Sequence, residues 1–232
     1  MYNWHRFETR DALENELAQA ITHALMRGIA ERNSAVLVVS GGSTPLGLFR
    51  TLSKQDQVNW SKVTVTLADE RWVSASHSDS NHRLVAETLL QGPAAAADFL
   101  PLYTGAATPE EGCDDIAHKL SNLGTFDAVI LGMGGDSHTA SLFPNTPALS
   151  LGLDAKSATA VLAVHPTTAP HPRISMSLAR LLNTRNLILH FTGADKAEVF
   201  ENAVAEGKSN TDHPIRAFAL QDKHDLEIFF AP

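Results

Sequence analysis

Short apolar, β-branched runs alternate along this chain with stretches of helical period, and that alternation is what most constrains the fold. AVLVVSGGSTP (35–45), KVTVTLADERWV (62–73), FDAVILGMGGDSHTASLFP (126–144), TAVLAVHP (159–166), NLILHFTG (186–193) and DLEIFF (225–230) read as strands. Between them lie helical segments at 11–31, where Leu13, Leu17, Ile21, Leu25 and Ile29 recur on one face, and at 80–90, opened by the capping residue Ser80. A helix entered at Pro45, a helix over RISMSLARLL (173–182) and one over 194–207 with a glycine stop complete the pattern. Repeated strand–helix alternation predicts an α/β fold: a mainly parallel sheet with helices on both faces. The alanines at 94–97 and the stretch 105–109 read as surface loop. Composition does not shift along the chain and no repeat appears, so residues 1–232 are expected to form a single domain.

Several function classes drop out early. A net charge of −8 argues against a nucleic-acid partner, which normally meets a basic footprint. It leaves room for a small anion held by a few converging cations. Cys113 is the only cysteine, so no disulfide forms within the chain and no thiolate zinc site exists. No apolar run reaches the length of a membrane span, and the first residues carry no secretory pattern. The expectation is a cytoplasmic protein, monomeric or weakly dimeric, with no membrane partner.

In open α/β sheets, ligands bind beyond the carboxyl ends of the strands. Four strand exits here are unusually polar: SGGST, ADER, GMGGDSH and VHP. In SGGSTP, Gly41 and Gly42 let backbone approach an oxyanion, while Ser43 and Thr44 add hydroxyl donors. No lysine follows, so this is not a P-loop. GMGGDSH departs from the dinucleotide fingerprint at its third glycine and is cut short by Pro144, which excludes a nicotinamide site. It places Asp136 and His138 together, a candidate base beside a carboxylate able to hold its tautomer. Such a pair is more often structural than catalytic. Asp69 is a candidate to orient His138 or a sugar hydroxyl, Arg71 to meet an anionic substrate, and Arg173 and Lys196 to form a phosphate site. No G-x-S-x-G elbow and no H-E-x-x-H are present, so neither a serine nucleophile nor a metal is expected.

Taken in order, SGGSTP, ADERWV, SNHRLVAETLL, DAVILGMGGDSHTASLFP, PRISMSLARLLN and GADKAEVF make the chain resemble the 6-phosphogluconolactonase family, over residues 34 to 200. The resemblance implies a Rossmann-like parallel sheet and hydrolysis of 6-phospho-D-glucono-1,5-lactone, a step of the oxidative pentose phosphate pathway, without cofactor or metal. It places the catalytic base on His138 with Asp136 beside it. Gly42, Ser43, Thr44, Asp69, Arg71, Arg173 and Lys196 become substrate contacts, with Arg71 or backbone amides stabilising the oxyanion. The alternatives are a sugar-phosphate isomerase or deaminase of the same fold, and a non-catalytic sugar-phosphate sensor. One position departs from the family pattern: Ser137 stands where glycine is usual, which predicts a strained φ > 0 beside the histidine.

Overall fold

The computed structural model describes residues 1–232. Its strands are β1 (Tyr2–Arg6), β2 (Ala35–Val39), β3 (Val63–Leu67), β4 (Asp69–Arg71), β5 (Asp98–Leu100), β6 (Ala128–Leu131), β7 (Val161–Val164), β8 (Arg173–Met176), β9 (Leu187–Thr192) and β10 (Leu226–Ala231). The helices are α1 (Arg10–Arg32), α2 (Leu46–Leu52), α3 (Asn81–Thr88), α4 (Pro109–Ser121), α5 (Leu149–Gly152), α6 (Leu178–Leu181), α7 (Ala194–Val204) and α8 (Ile215–Ala219). Seven strands form one sheet in the order β1-β10-β9-β6-β2-β3-β5, every pair parallel.

Local chemistry explains the central elements. Thr9 accepts a hydrogen bond from the amide of Ala12 and starts α1, and Asn33 in the left-handed region ends it. The stripe Leu13, Leu17, Ile21 and Leu25 is wholly buried. All five residues of β2 and all four of β6 are buried, so both faces of the sheet are covered. Each such Val, Leu or Ile contributes about 1.5–3 kcal/mol of burial. The core is one continuous cluster, and no helix is long and apolar enough to cross a membrane.

From β2 the chain winds first to β3 and β5 on one side, then returns to β6, β9 and β10 on the other. The reversal therefore falls between β2 and β6. Their carboxyl ends carry SGGST and GMGGDSH, so these two loops flank the crevice that such a reversal opens.

Four expectations need correction. The segment 62–73 is not one strand: it breaks at Ala68, and residues 69–71 leave the main sheet as β4. The run at 159–166 does form a strand, β7, but not in the parallel sheet. Most consequentially, 173–182 is not one helix, and Arg173 does not open one. Residues 173–176 are β8, lying between β4 and β7 in a second, antiparallel sheet, and only Leu178–Leu181 turn helically behind the cap Ser177. RISM is apolar and short enough for either state; strand partners on both sides decide it. The small sheet is joined to the end of β3 by the amide of Met176 donating to the carbonyl of Ala68 (2.9 Å). The alanines at 94–97 are also not simply surface loop, since residues 92–96 form a 3-10 turn with Ala94 buried.

Candidate active site

The β2 and β6 exits and the small sheet enclose a cleft of about 330 Å³, a volume that suits a small molecule. Of the residues singled out in the sequence, Gly41, Gly42, Ser43, Thr44, Asp69, Arg71, His138 and Arg173 line it. Asp136 and Lys196 do not, although both touch its glycine-rich wall.

In that wall, the Gly134 amide donates to the His138 carbonyl (2.9 Å) and the Thr139 hydroxyl to the Gly132 carbonyl (2.8 Å), closing a tight loop. A Cβ at Gly134 would stand 2.1 Å from His138 Nδ1, so only glycine admits the imidazole here. His138 Nδ1–H donates to Asp136 Oδ1 at 2.5 Å. Burial would raise the Asp136 carboxyl, but the hydrogen bond and charge of His138 outweigh it and hold the group below the ordinary carboxylate range. With Nδ1 so engaged, Nε2 is the nitrogen left to take a proton. Phe143 stacks on the ring, centroids 4.2 Å apart, and fixes its plane.

Ser137 has φ 64°, the strained conformation expected from the departure at this position. Its side chain is engaged: the hydroxyl donates to the Asp136 carbonyl at 2.5 Å and lies 3.1 Å from His213 Nδ1. The left-handed backbone costs a non-glycine residue about 1 kcal/mol, and these hydrogen bonds return a similar amount, about 1 kcal/mol. Ser137→Gly is therefore expected to be nearly neutral. Ser137→Ala keeps the strain and loses the bonds, and should be less stable than the glycine variant by about 1 kcal/mol in urea melts. Equal midpoints for the alanine and glycine variants would show that the left-handed backbone stores no strain here.

On the opposite wall, antiparallel pairing sets Arg71 directly across from Arg173. Arg173 is only 6% exposed, yet neither guanidinium forms an ion pair. Arg71 Nη1 donates to the Asp79 carbonyl and Arg173 Nη2 to the Pro170 carbonyl, and the Nε of each is buried without a partner. Burial, then the neighbouring Arg71, pulls the Arg173 pKa below its ordinary value, against the opposing pull of Asp69, Glu70 and Asp79. Two adjacent, half-satisfied cations facing a cleft attract an anion. Lys196, at the start of α7, donates to the Met133 carbonyl (3.1 Å) and likewise has no carboxylate partner. It reaches an anion in the cleft only by releasing that carbonyl.

Asp69 does not orient His138, contrary to one expectation; its Oδ2 accepts from the Ser141 hydroxyl at 2.5 Å. Glu70, next in the strand, meets no solvent. It is wholly buried and accepts from the amides of Arg71, Asn81 and His82 and from the Ser80 hydroxyl, tying β4 to the start of α3. Desolvation raises its pKa against the pull of the three amides.

Sequence reasoning missed Asn81, Ser141, Phe143 and His190, all of which line the cleft. For Ser141 and Phe143 the signal was available, since both sit in the distinctive TASLFP stretch. For His190, inside an apolar strand, there was none. It is 2% exposed, its Nε2 has no partner, and burial pushes its pKa down to about 4. Because the folded state prefers the neutral ring, the unfolded state binds more protons between pH 6.5 and 4, and stability falls as pH drops through that window. Wild type should lose about 2–3 kcal/mol more than His190→Gln between pH 7.5 and 4.5. Parallel pH profiles in urea would show that the ring is hydrated in the fold.

A family model described as glucosamine-6-phosphate isomerases/6-phosphogluconolactonase matches residues 8–227. Among similar curated proteins, the 6-phosphogluconolactonase of Mesorhizobium japonicum is 44% identical, covering all of this chain and 96% of its own. That of Rhizobium meliloti is 42% identical over 99% of both. A crystal structure of a 6-phosphogluconolactonase from Shewanella baltica superposes with a TM-score of 0.96 at 42% identity, over 100% of this chain and 98% of that one. With the family's fold present throughout and whole-length relatives at this identity, the chain belongs to the glucosamine-6-phosphate isomerase/6-phosphogluconolactonase family.

Proposed function

We propose that this protein hydrolyses 6-phospho-D-glucono-1,5-lactone to 6-phosphogluconate, with His138 as general base and no covalent intermediate. Lactone hydrolysis is supported by whole-length relatives named for it. The observation that carries the mechanism is the pairing of an imidazole held by a carboxylate with two unpaired guanidiniums across one cleft.

A δ-lactone carbonyl is an activated ester, so water needs only a base and an oxyanion partner. Neutral His138 takes a proton at Nε2 as water adds to C1, and Asp136 stabilises the imidazolium that forms. Charge growing on the carbonyl oxygen is met by backbone amides of the glycine loops. The tetrahedral intermediate then collapses, the C1–ring oxygen bond breaks, and the imidazolium returns its proton to the departing oxygen. Arg173 and Arg71 hold the phosphate together with the Ser43 and Thr44 hydroxyls, and Lys196 joins them by turning from Met133. That grip positions C1 against the base. Arg71 thus moves from an oxyanion role to the anion pocket, because its strand partner is Arg173.

The test is acid release from the phosphorylated lactone, with the spontaneous rate subtracted. Catalysis well above background is expected. The family also contains isomerases, which move a proton at C2, so the reaction should be repeated in deuterium oxide. Product free of deuterium at C2 is expected; deuterium there, with no acceleration of acid release, would replace the lactonase with an isomerase.

A further inference from the structure

The wall that carries the arginine pair has a second cluster on its outer side. His77 and Asp79 belong to the loop after β4, and His171 to the loop before β8; 92 residues separate Asp79 from His171. One ligand atom from each of the three lies within 4.8 Å of the others. His171 Nε2 and Asp79 Oδ2 are 2.9 Å apart, and the two imidazoles meet edge to face at 5.2 Å between centroids. His171 sits at φ 69°, in the left-handed region that few residues other than glycine enter.

We propose that His77, Asp79 and His171 form a zinc site that clips these two loops together. Two imidazoles and one carboxylate are a borderline-soft set, better suited to zinc than to magnesium or calcium, which prefer oxygen alone. The triangle is small enough to close on one tetrahedral ion, with ligands at about 2.0–2.2 Å, by rotation of the exposed His77 and Asp79 toward the half-buried His171. A water completes the fourth position. Binding takes the Nε2 lone pair of His171, so the proton shared with Asp79 passes by way of solvent to Nδ1 and the ring binds as a neutral imidazole.

The loops have few other ties. The Trp72 amide donates to the Pro172 carbonyl (2.8 Å), and Arg71 Nη1 donates to the Asp79 carbonyl. An ion here therefore braces the backbone that follows Arg71 and the backbone that precedes Arg173. It touches none of the groups placed in the proton transfer, and the site stands whatever reaction the cleft performs.

The experiment is zinc titration of the full-length protein after removal of metals with a chelator, followed by calorimetry and by amide exchange of residues 165–172. One equivalent should bind with Kd below about 10 µM, and exchange in that loop should slow. His77→Ala and His171→Asn should each weaken binding about tenfold or more; asparagine is chosen because it tolerates the left-handed backbone. His138→Ala and the exposed His165→Ala should bind zinc as wild type does. Wild-type binding weaker than about 10 µM would overturn the proposal. So would affinity lost in His138→Ala but kept in the His77 and His171 variants, which would put the ion on the cleft histidine.

Discussion

Replacing His138 with alanine is expected to lower kcat about 10²–10⁴-fold, the usual contribution of a positioned general base. The fold should be little affected. The ring is partly exposed and its side-chain bond runs only to Asp136, two residues away in the same loop. Loss of the Phe143 stack is the main structural cost. KM should change little, because the imidazole grips neither the phosphate nor the sugar. Asp136→Asn offers a graded companion: the amide can still meet the ring but no longer selects the Nδ1–H tautomer or stabilises the imidazolium, so kcat should fall while circular dichroism stays native. A His138→Ala enzyme that keeps more than a third of wild-type turnover would remove the histidine from the mechanism.

Arg173→Ala is expected to separate recognition from chemistry. A charge-assisted hydrogen bond is worth about 1.5–3 kcal/mol, or roughly 10–100-fold in kcat/KM for the phosphorylated lactone. The unphosphorylated lactone should be turned over almost as by wild type. Stability is the second readout. Most buried charges are missed when removed, but Arg173 faces Arg71 across the strand pair with no carboxylate in contact. Alanine relieves that repulsion, so the variant should melt no lower than wild type by more than the small packing loss. Equal kinetic losses on both substrates would show that Arg173 does not read the phosphate. Lys196→Ala should show the same selectivity more weakly, since its ammonium starts from the Met133 carbonyl.

Much of this was legible without coordinates. The runs of β2 and β6 are apolar through and through and those of β3, β9 and β10 mostly so, the pattern of strands covered on both faces. Ser80 and the 3.6-residue stripe of α1 mark helices by local chemistry alone. Asp136 and His138 are two residues apart beside glycines, so their contact follows from a tight loop. The unusual Ser137 declared its positive φ, because the loop path around it is set by the neighbouring glycines and by TASLFP. The edges were harder: β1 and β5 lie at the rims of the sheet and are only partly buried, so their apolar pattern is weak.

Local sequence thus determined which segments become strands of the main sheet and which loops hold the base, because conformational preference and glycine sterics act over a few residues. Tertiary structure alone decided the other wall of the cleft. Whether RISM is helix or strand depends on β4 and β7 offering hydrogen bonds from far along the chain. Only that pairing puts Arg71 opposite Arg173, buries Glu70 on the amides of α3, and gathers His77, Asp79 and His171 outside. His190 became a cleft residue for the same reason, since burial is a property of what crosses a side chain in space, and no neighbour in sequence records it.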